Sequence, residues 1–447
     1  MPRPSTSSGG LLGLIGRLAE SVATYGLAAF VLTLPLEFTA LWLPQQLSRL
    51  VLLIVTAAFV YLVVIGRRKL RVPRAASVWL LVLFVAAALI SWTLTRAPGS
   101  GRSLLDVAVY PLVGLAIANL ALSETDLHRA WSAFLISGLG VALTGGFLYL
   151  THLTIWTPNP VVAARMNITF GDPNITARFL TLCACAAVLM YAARQGKSWL
   201  AFATAIGCAA VLPLTFSRSG LALFIVGILL AIAVAYQHRR AAAIGVSALV
   251  VFALSTGVNP DTRSRASDAV ETVATAVIGK SFTPPATASR PDPHEDNRTY
   301  LIGAGLRMFE DHPLQGVGFG GYQNALVTDY KRFLPTHRID TLDTLSHTSL
   351  VTVMAEQGII GTLLLLAFLI QLAREAVWAR FRRDRWSAWT VLAGTLIIPI
   401  FMYSQIEGRF IQEPYLWLAL GLFYSAQMLA SSDLQAERAR ELIRPAA

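Results

Sequence analysis

The chain reads as an all-helical integral membrane protein of about twelve spans, with one long loop outside the membrane. Three observations predict this. Of 447 residues, 55% are hydrophobic and only 14% are charged, whereas soluble domains average about 25% charged. Mean hydropathy is +0.59. Apolar blocks of spanning length, about 17–25 residues, recur along the chain and are interrupted once, over 259–346, where Pro, Asp and Arg concentrate.

In order, the blocks fall at 18–36, 47–66, 76–95, 104–122, 129–150, 173–194, 198–216, 219–236, 241–257, 347–372, 386–405 and 411–430. Those between 198 and 257 follow one another closely and leave room only for short turns. Residues 1–10 are polar, and the apolar run behind them has no A-x-A-like site, so no cleavable leader is expected. The expected organisation is one polytopic domain over 1–447. The 259–346 loop, carrying short helices, is inserted between the ninth and tenth spans.

Lys and Arg orient the spans, because basic residues collect on the cytoplasmic side. With the N-terminus inside, the inner segments hold 20 basic residues, including the clusters "GRRKLRVPR" and "REAVWARFRRDR". The short outer segments hold seven: Arg49, Arg96, Arg102, Arg165, Arg178, Arg218 and Arg409. Both termini are thus predicted inside and the long loop outside. The same bias explains a pI of 9.9: it is attraction to anionic lipid, and no basic stripe with interleaved aromatics points to nucleic acid. Cys183, Cys185 and Cys208 lie inside apolar blocks without metal-ligand spacing and read as small packing residues.

The outer arginines stand on the side that insertion disfavours. Arg218 interrupts "VLPLTFSRSGLALFIVG", and an arginine at the centre of a membrane helix costs about 2.5–3.5 kcal/mol. Arg165 lies in "ARMNITFGDPNITARF", with Arg178 one turn into the following helix. Arg298 lies in "EDNRTYLIGAGLRMFEDHPLQGVGFGGY", which reads as a short helix and a glycine turn. Arginine suits anionic oxyacids because its planar fork donates several charge-assisted hydrogen bonds at once. The bland alternative is a helix-end arginine reaching for lipid headgroups or a carboxylate. For Arg218 it is weakened by Ser217, Ser219 and Gly220, which form a polar, close-approach surround. The loop carries nine basic and eleven acidic residues and is no general magnet for polyanions. The proline-dense stretch 281–297 suits neither helix nor strand. "GVGFGG" lacks the strand–helix context of a nucleotide loop.

"LSHTSLVTVMAEQGIIGTLLLL" opens the tenth span with His347. A helix N-terminus disfavours an added positive charge, which helps to keep an imidazole neutral and able to accept a proton. At helical spacing, Gly358 and Gly361 fall beneath His347 and Glu356 falls on the opposite face. The expectation is that another helix packs on the glycines and that Glu356 makes a buried polar contact within the bundle. His337, in "PTHRID", is the rival outer histidine. No D-x-D pair suits a metal–diphosphate complex. Asp340 and Asp343 are three apart in a turn, so arginine rather than metal is expected to neutralise a diphosphate.

These residues resemble a family. "FEDHPLQGVGFGGY" followed by "SHTSLVTVMAEQGIIG" is similar to the signature of the O-antigen ligase and O-antigen polymerase superfamily, as are "GDPN" and "SRSG". One departure is Thr348, where Asn or Ser is commoner after the histidine. The resemblance implies a GT-C-type membrane glycosyltransferase that uses no metal, cofactor or nucleotide sugar. Its donor would be a glycan on undecaprenyl diphosphate at the periplasmic face of a bacterial inner membrane. A ligase passes the glycan to lipid A-core, and a polymerase passes it to another repeat unit. The resemblance favours the ligase branch. Carried over by motif, Arg218 and Arg298 fall on essential arginines and His347 on the essential histidine. Arg165 and, after the eleventh span, Glu407 are looser matches; with Arg178 and His337 they complete the substrate-binding candidates. A secondary transporter is the competing class, but neither repeated halves nor midplane polar residues are visible.

Overall fold

In the computed structural model, the described residues are 11–36, 47–153, 165–166, 168–258, 260, 262–264, 297–333, 346–408 and 410–443, and their regular structure is entirely helical. Among the described residues nine α-helices precede the long loop: α1 Leu11–Thr33, α2 Leu47–Val64, α3 Ala76–Thr95, α4 Gly101–Leu120, α5 Glu124–Thr151, α6 Pro173–Ala192, α7 Ser198–Val211, α8 Arg218–Val234 and α9 His238–Val258. The loop contributes α10 Asn297–Asp311 and α11 Tyr322–Thr328. Then come α12 Ser349–Arg382, α13 Ser387–Glu407 and α14 Pro414–Ile443.

Each of the twelve apolar blocks read from the sequence falls on one of these long helices. Ten of the helices are long and apolar enough to cross a membrane, α7 together with the 3-10 turn that continues it to Thr215. The other two differ for visible reasons. α8 has only 17 residues, and α14 dilutes its apolar stretch with Tyr415, Tyr424, Ser425 and Gln427 before running on as "SSDLQAERAR". Large aliphatic side chains cover the outside of the bundle: Leu53, Leu94, Leu143 and Ile370 are each about two-thirds exposed. A face this apolar belongs against lipid.

At the centre is α6, buried along almost its whole length. Beyond its polar residues Asn174, Thr176, Arg178 and Thr181, the helix is apolar on every side and has little reason to meet solvent. α5, α7, α8, α9 and α13 pack around it. Cys183, Cys185 and Cys208 are free and buried there, as their apolar setting predicts. Glycine permits the closest approach, since a Cβ on Gly138 would lie 2.5 Å from that of Cys183.

Polar bonds sort the two ends of the bundle. At the arginine-rich end, Arg68 pairs with Glu20 at 3.1 Å, and Asn119 accepts from Arg71 N–H at 2.8 Å. Glu375 of α12 accepts from both the backbone N–H and the hydroxyl of Ser77, at 3.0 and 2.7 Å. That carboxylate caps α3, whose own N-cap, Ala75, has no side chain to offer. Both basic clusters therefore share one end. The candidate arginines and His347 share the other.

Cysteines introduced at exposed His312 and Arg383 should differ in labelling. An impermeant thiol reagent applied to intact spheroplasts should reach the first and not the second, and the buried native thiols should stay silent. Labelling at both positions would show that the two do not lie on opposite sides of a membrane.

Candidate active site

The "GDPN" motif builds the outer end of α6. Gly171 adopts φ +67, and Asp172 caps the helix by accepting from the N–H of Asn174 at 2.6 Å and of Ile175 at 3.4 Å. Pro173 suits the first turn because its missing N–H would have no partner there. Asn174 is then free to point sideways. Its Oδ1 accepts from Ser217 Oγ at 2.7 Å and from Arg165 Nη2 at 3.4 Å.

Ser217 belongs to "SRSG" and caps α8, accepting from Gly220 N–H at 3.1 Å. Gly220 is needed for the approach of the two helices, since a Cβ there would lie 2.6 Å from that of Ala177. Arg165 closes the arrangement by donating from Nε to the Thr215 carbonyl at 2.9 Å, and Met166 N–H donates to Leu214 at 3.0 Å. Two motifs far apart in sequence thus form one hydrogen-bonded unit. On its surface stands Arg218, exposed at the first position of α8. There its charge adds to the positive end of a helix, a setting suited to an anion.

His347 does not open the helix as expected. It stands two residues ahead of Ser349 with φ +57, and α12 runs on to Arg382. The turn holding it is fastened to α13. Gln405 Oε1 accepts from Leu350 N–H at 3.2 Å and so caps α12 from a neighbouring helix, while its Nε2 donates to Ser349 Oγ at 2.6 Å. Ser349 and Ser404 share a hydrogen bond of 2.7 Å, and Thr348 Oγ1 donates to the Gln405 carbonyl at 3.2 Å. Gly408, at φ +72, lies so close that a Cβ would come within 3.1 Å of His347 Cα. Gln405 and Ser404 are missing from the sequence reading. Their only signal was proximity to Glu407, the last residue of α13.

The two glycines below His347 also act differently from the expectation of a helix–helix contact. α12 breaks at Gly358, where φ is 62 and ψ −156. The glycine turn of the loop enters the break: Val317 and Gly318 donate to the carbonyls of Ala355 and Glu356 at 2.8 and 3.1 Å, and Ile359 N–H donates to Pro313 at 2.8 Å. Ser91 of α3 donates to the Glu356 carbonyl as well, at 2.8 Å. The buried Glu356 carboxylate accepts from Tyr322 N–H at 3.2 Å and caps α11. Its contact is with the loop.

The loop helices rest on this junction. Leu301, Ala304, Met308, Tyr322, Ala325, Leu326 and Tyr330 form a small core with Ala355. A Cβ on Gly305 would lie 2.5 Å from a Val351 methyl, so α10 and α12 touch closely. α10 then advances toward Gly316, which abuts Ala355–Gln357. Below, Tyr330 donates to Asp311 at 3.0 Å; burial first, and then this bond, push its phenol up to about 12.

Arg178 turns away from Arg218. It is buried in an ion pair with Glu413 at 2.8 Å and lies 6.0 Å from the Tyr415 ring centre. His337, Asp340, Asp343 and most of 281–297 lie outside the described residues, as do the side chains of Arg298 and Glu407. Among the described residues no cluster of three His, Cys, Asp or Glu side chains could hold a metal ion.

Residues 200–366 match the family model described as O-antigen ligase. The matched segment is similar to a domain whose members are glycosyltransferase-like ligases and polymerases. It contains Arg218, Arg298, His337 and His347, and leaves Arg165, Arg178 and Glu407 outside. No curated protein matches the sequence.

Gly358→Ala tests the junction. Backbone this unusual is close to glycine-only and costs about 1–3 kcal/mol for other residues, and the added Cβ would lie 2.6 Å from the Pro313 carbonyl oxygen. Limited proteolysis should cut the 297–333 region faster in the variant while the bundle stays intact. Unchanged cleavage would mean that the loop is held elsewhere.

Proposed function

We propose that this chain, which carries an O-antigen ligase domain over residues 200–366, is a GT-C-type inverting ligase. It moves a glycan from undecaprenyl diphosphate to lipid A-core at the periplasmic face of a bacterial inner membrane. One observation carries the reading: Arg218 is held exposed at a helix N-terminus by the hydrogen-bonded "GDPN" and "SRSG" motifs, at the same end as the cradled His347. An exposed arginine built into such a support suits an anionic ligand better than a fold-stabilising role.

The proposed chemistry is a single displacement at the anomeric carbon. An acceptor hydroxyl oxygen bonds to that carbon, the bond from carbon to the diphosphate oxygen breaks, and His347 takes the hydroxyl proton. General-base catalysis of this kind contributes about 10²–10⁴-fold. Arg218 and Arg298 hold the diphosphate and stabilise the charge gathering on the leaving oxygen, so no metal is needed. Each hydrogen bond to a charged group is worth about 1.5–3 kcal/mol. Arg165 acts through its bonds to Thr215 and Asn174, and Gln405 acts by holding the turn of His347.

His347→Ala should lower transfer by at least about 10² while leaving donor affinity within about twofold, because the histidine serves the acceptor. Arg218→Ala should weaken donor binding as well. Arg218→Lys should restore little, since a point charge cannot reproduce the planar fork. Full activity in His347→Ala with loss in His337→Ala would move the base to the other histidine.

Ligase and polymerase need the same donor site and differ in acceptor. Cells lacking the protein should make lipopolysaccharide without O-antigen and accumulate long glycan on undecaprenyl diphosphate. Lipid-linked glycan confined to single repeats, with single repeats still joined to lipid A-core, would identify a polymerase.

A further inference from the structure

A second feature lies on the neighbouring face of α6. A cleft of about 450 Å³ opens among the outer ends of α1, α2, α4, α6 and α14. Its walls are apolar, formed by Phe30, Leu52, Val109, Val113 and Ile175 among others, and its polar members include Arg49, Asp106, Arg178 and Glu413. The flanking Leu53, Leu105 and Leu112 are 67%, 63% and 64% exposed. The cleft is therefore open sideways, toward where lipid would lie. The Arg178–Glu413 pair on its wall is almost completely buried, with side chains 4% and 3% exposed. A buried ion pair is poor evidence for stability, since an apolar pair of similar volume does as well or better. Ionisable residues at membrane depth mark ligand paths by default.

We infer that this cleft holds the polyprenyl chain of the donor, with the diphosphate crossing the N-terminus of α6 to Arg218. This rests on the donor reading proposed above. Two observations select the donor chain over the acceptor. A cleft of about 450 Å³ suits part of one chain, whereas the several acyl chains of lipid A share a headgroup and need a broad face. Ile175 and Arg178 line the cleft, while Asn174 and Ala177, on the adjoining face of the same two turns, meet Ser217 and Gly220. A head leaving the cleft is then less than one helix diameter, about 10 Å, from the Arg218 unit.

The test compares two synthetic donors carrying the same glycan diphosphate, one on eleven isoprene units and one on two. Full-length protein in nanodiscs is assayed alongside Val109→Trp and Thr56→Phe, which fill the cleft from α4 and α2. Wild type should prefer the long chain. In both variants the ratio of long-chain to short-chain kcat/KM should fall at least about tenfold, equivalent to about 1.4 kcal/mol and to the burial of roughly two methylenes. Turnover of the short-chain donor in the same preparation reports on folding. An unchanged ratio with active protein overturns the inference and leaves the transferase reading standing. A rise in acceptor KM alone would give the cleft to the acceptor and overturn it too. Wild-type protein inert toward both donors would refute the donor reading itself, and this inference with it.

Discussion

Backbone hydrogen bonds with no water to replace them govern this fold. In hydrocarbon, every interruption of a helix must be filled by another part of the protein. The break at Gly358 is the clearest case: the carbonyls of Ala355 and Glu356 are taken by Val317 and Gly318, and Ile359 N–H finds Pro313. The same rule operates twice more. Arg165 fills the Thr215 carbonyl where α7 gives way to α8, and Gln405 supplies the cap that α12 lacks. Each repair ties a candidate site element to the rigid bundle.

The site thus inherits its order from the scaffold. α6 touches α8 at Gly220–Ala177 and α13 at the 2.9 Å bond between Thr181 and Tyr403. α13 in turn holds the turn of His347. A shift in α6 would be felt at both the arginine unit and the histidine. The loop is tied through Glu356, whose carbonyl and carboxylate both accept bonds at the junction. In the proposed reaction, donor and acceptor groups must meet at one carbon. Supports of this kind favour catalysis by positioning.

The spans were legible because contiguous apolar runs and basic clusters need no knowledge of contacts. So were Arg218 and its serines, since "SRSG" ahead of an apolar run announces a helix N-terminus. Gly358 misled. A periodic projection assumes an unbroken helix, so it placed the glycine under another helix and gave Glu356 a polar contact within the bundle, whereas its carboxylate meets the loop. His347 was misplaced by two residues for a related reason: its left-handed turn depends on Gly408 and Gln405 of a different helix. The Arg178–Glu413 pair was invisible because nothing in the spacing of the sequence brings its two members together.

The central claim is that a base at His347 and a charge-stabilised leaving group at Arg218 act in one displacement on the donor. The most direct measurement is the anomeric configuration of the product, read by NMR from a donor of defined configuration and purified protein. One displacement predicts inversion at the transferred carbon. Retention would require a covalent glycosyl–protein intermediate on a nucleophile absent from this account, and would contradict it.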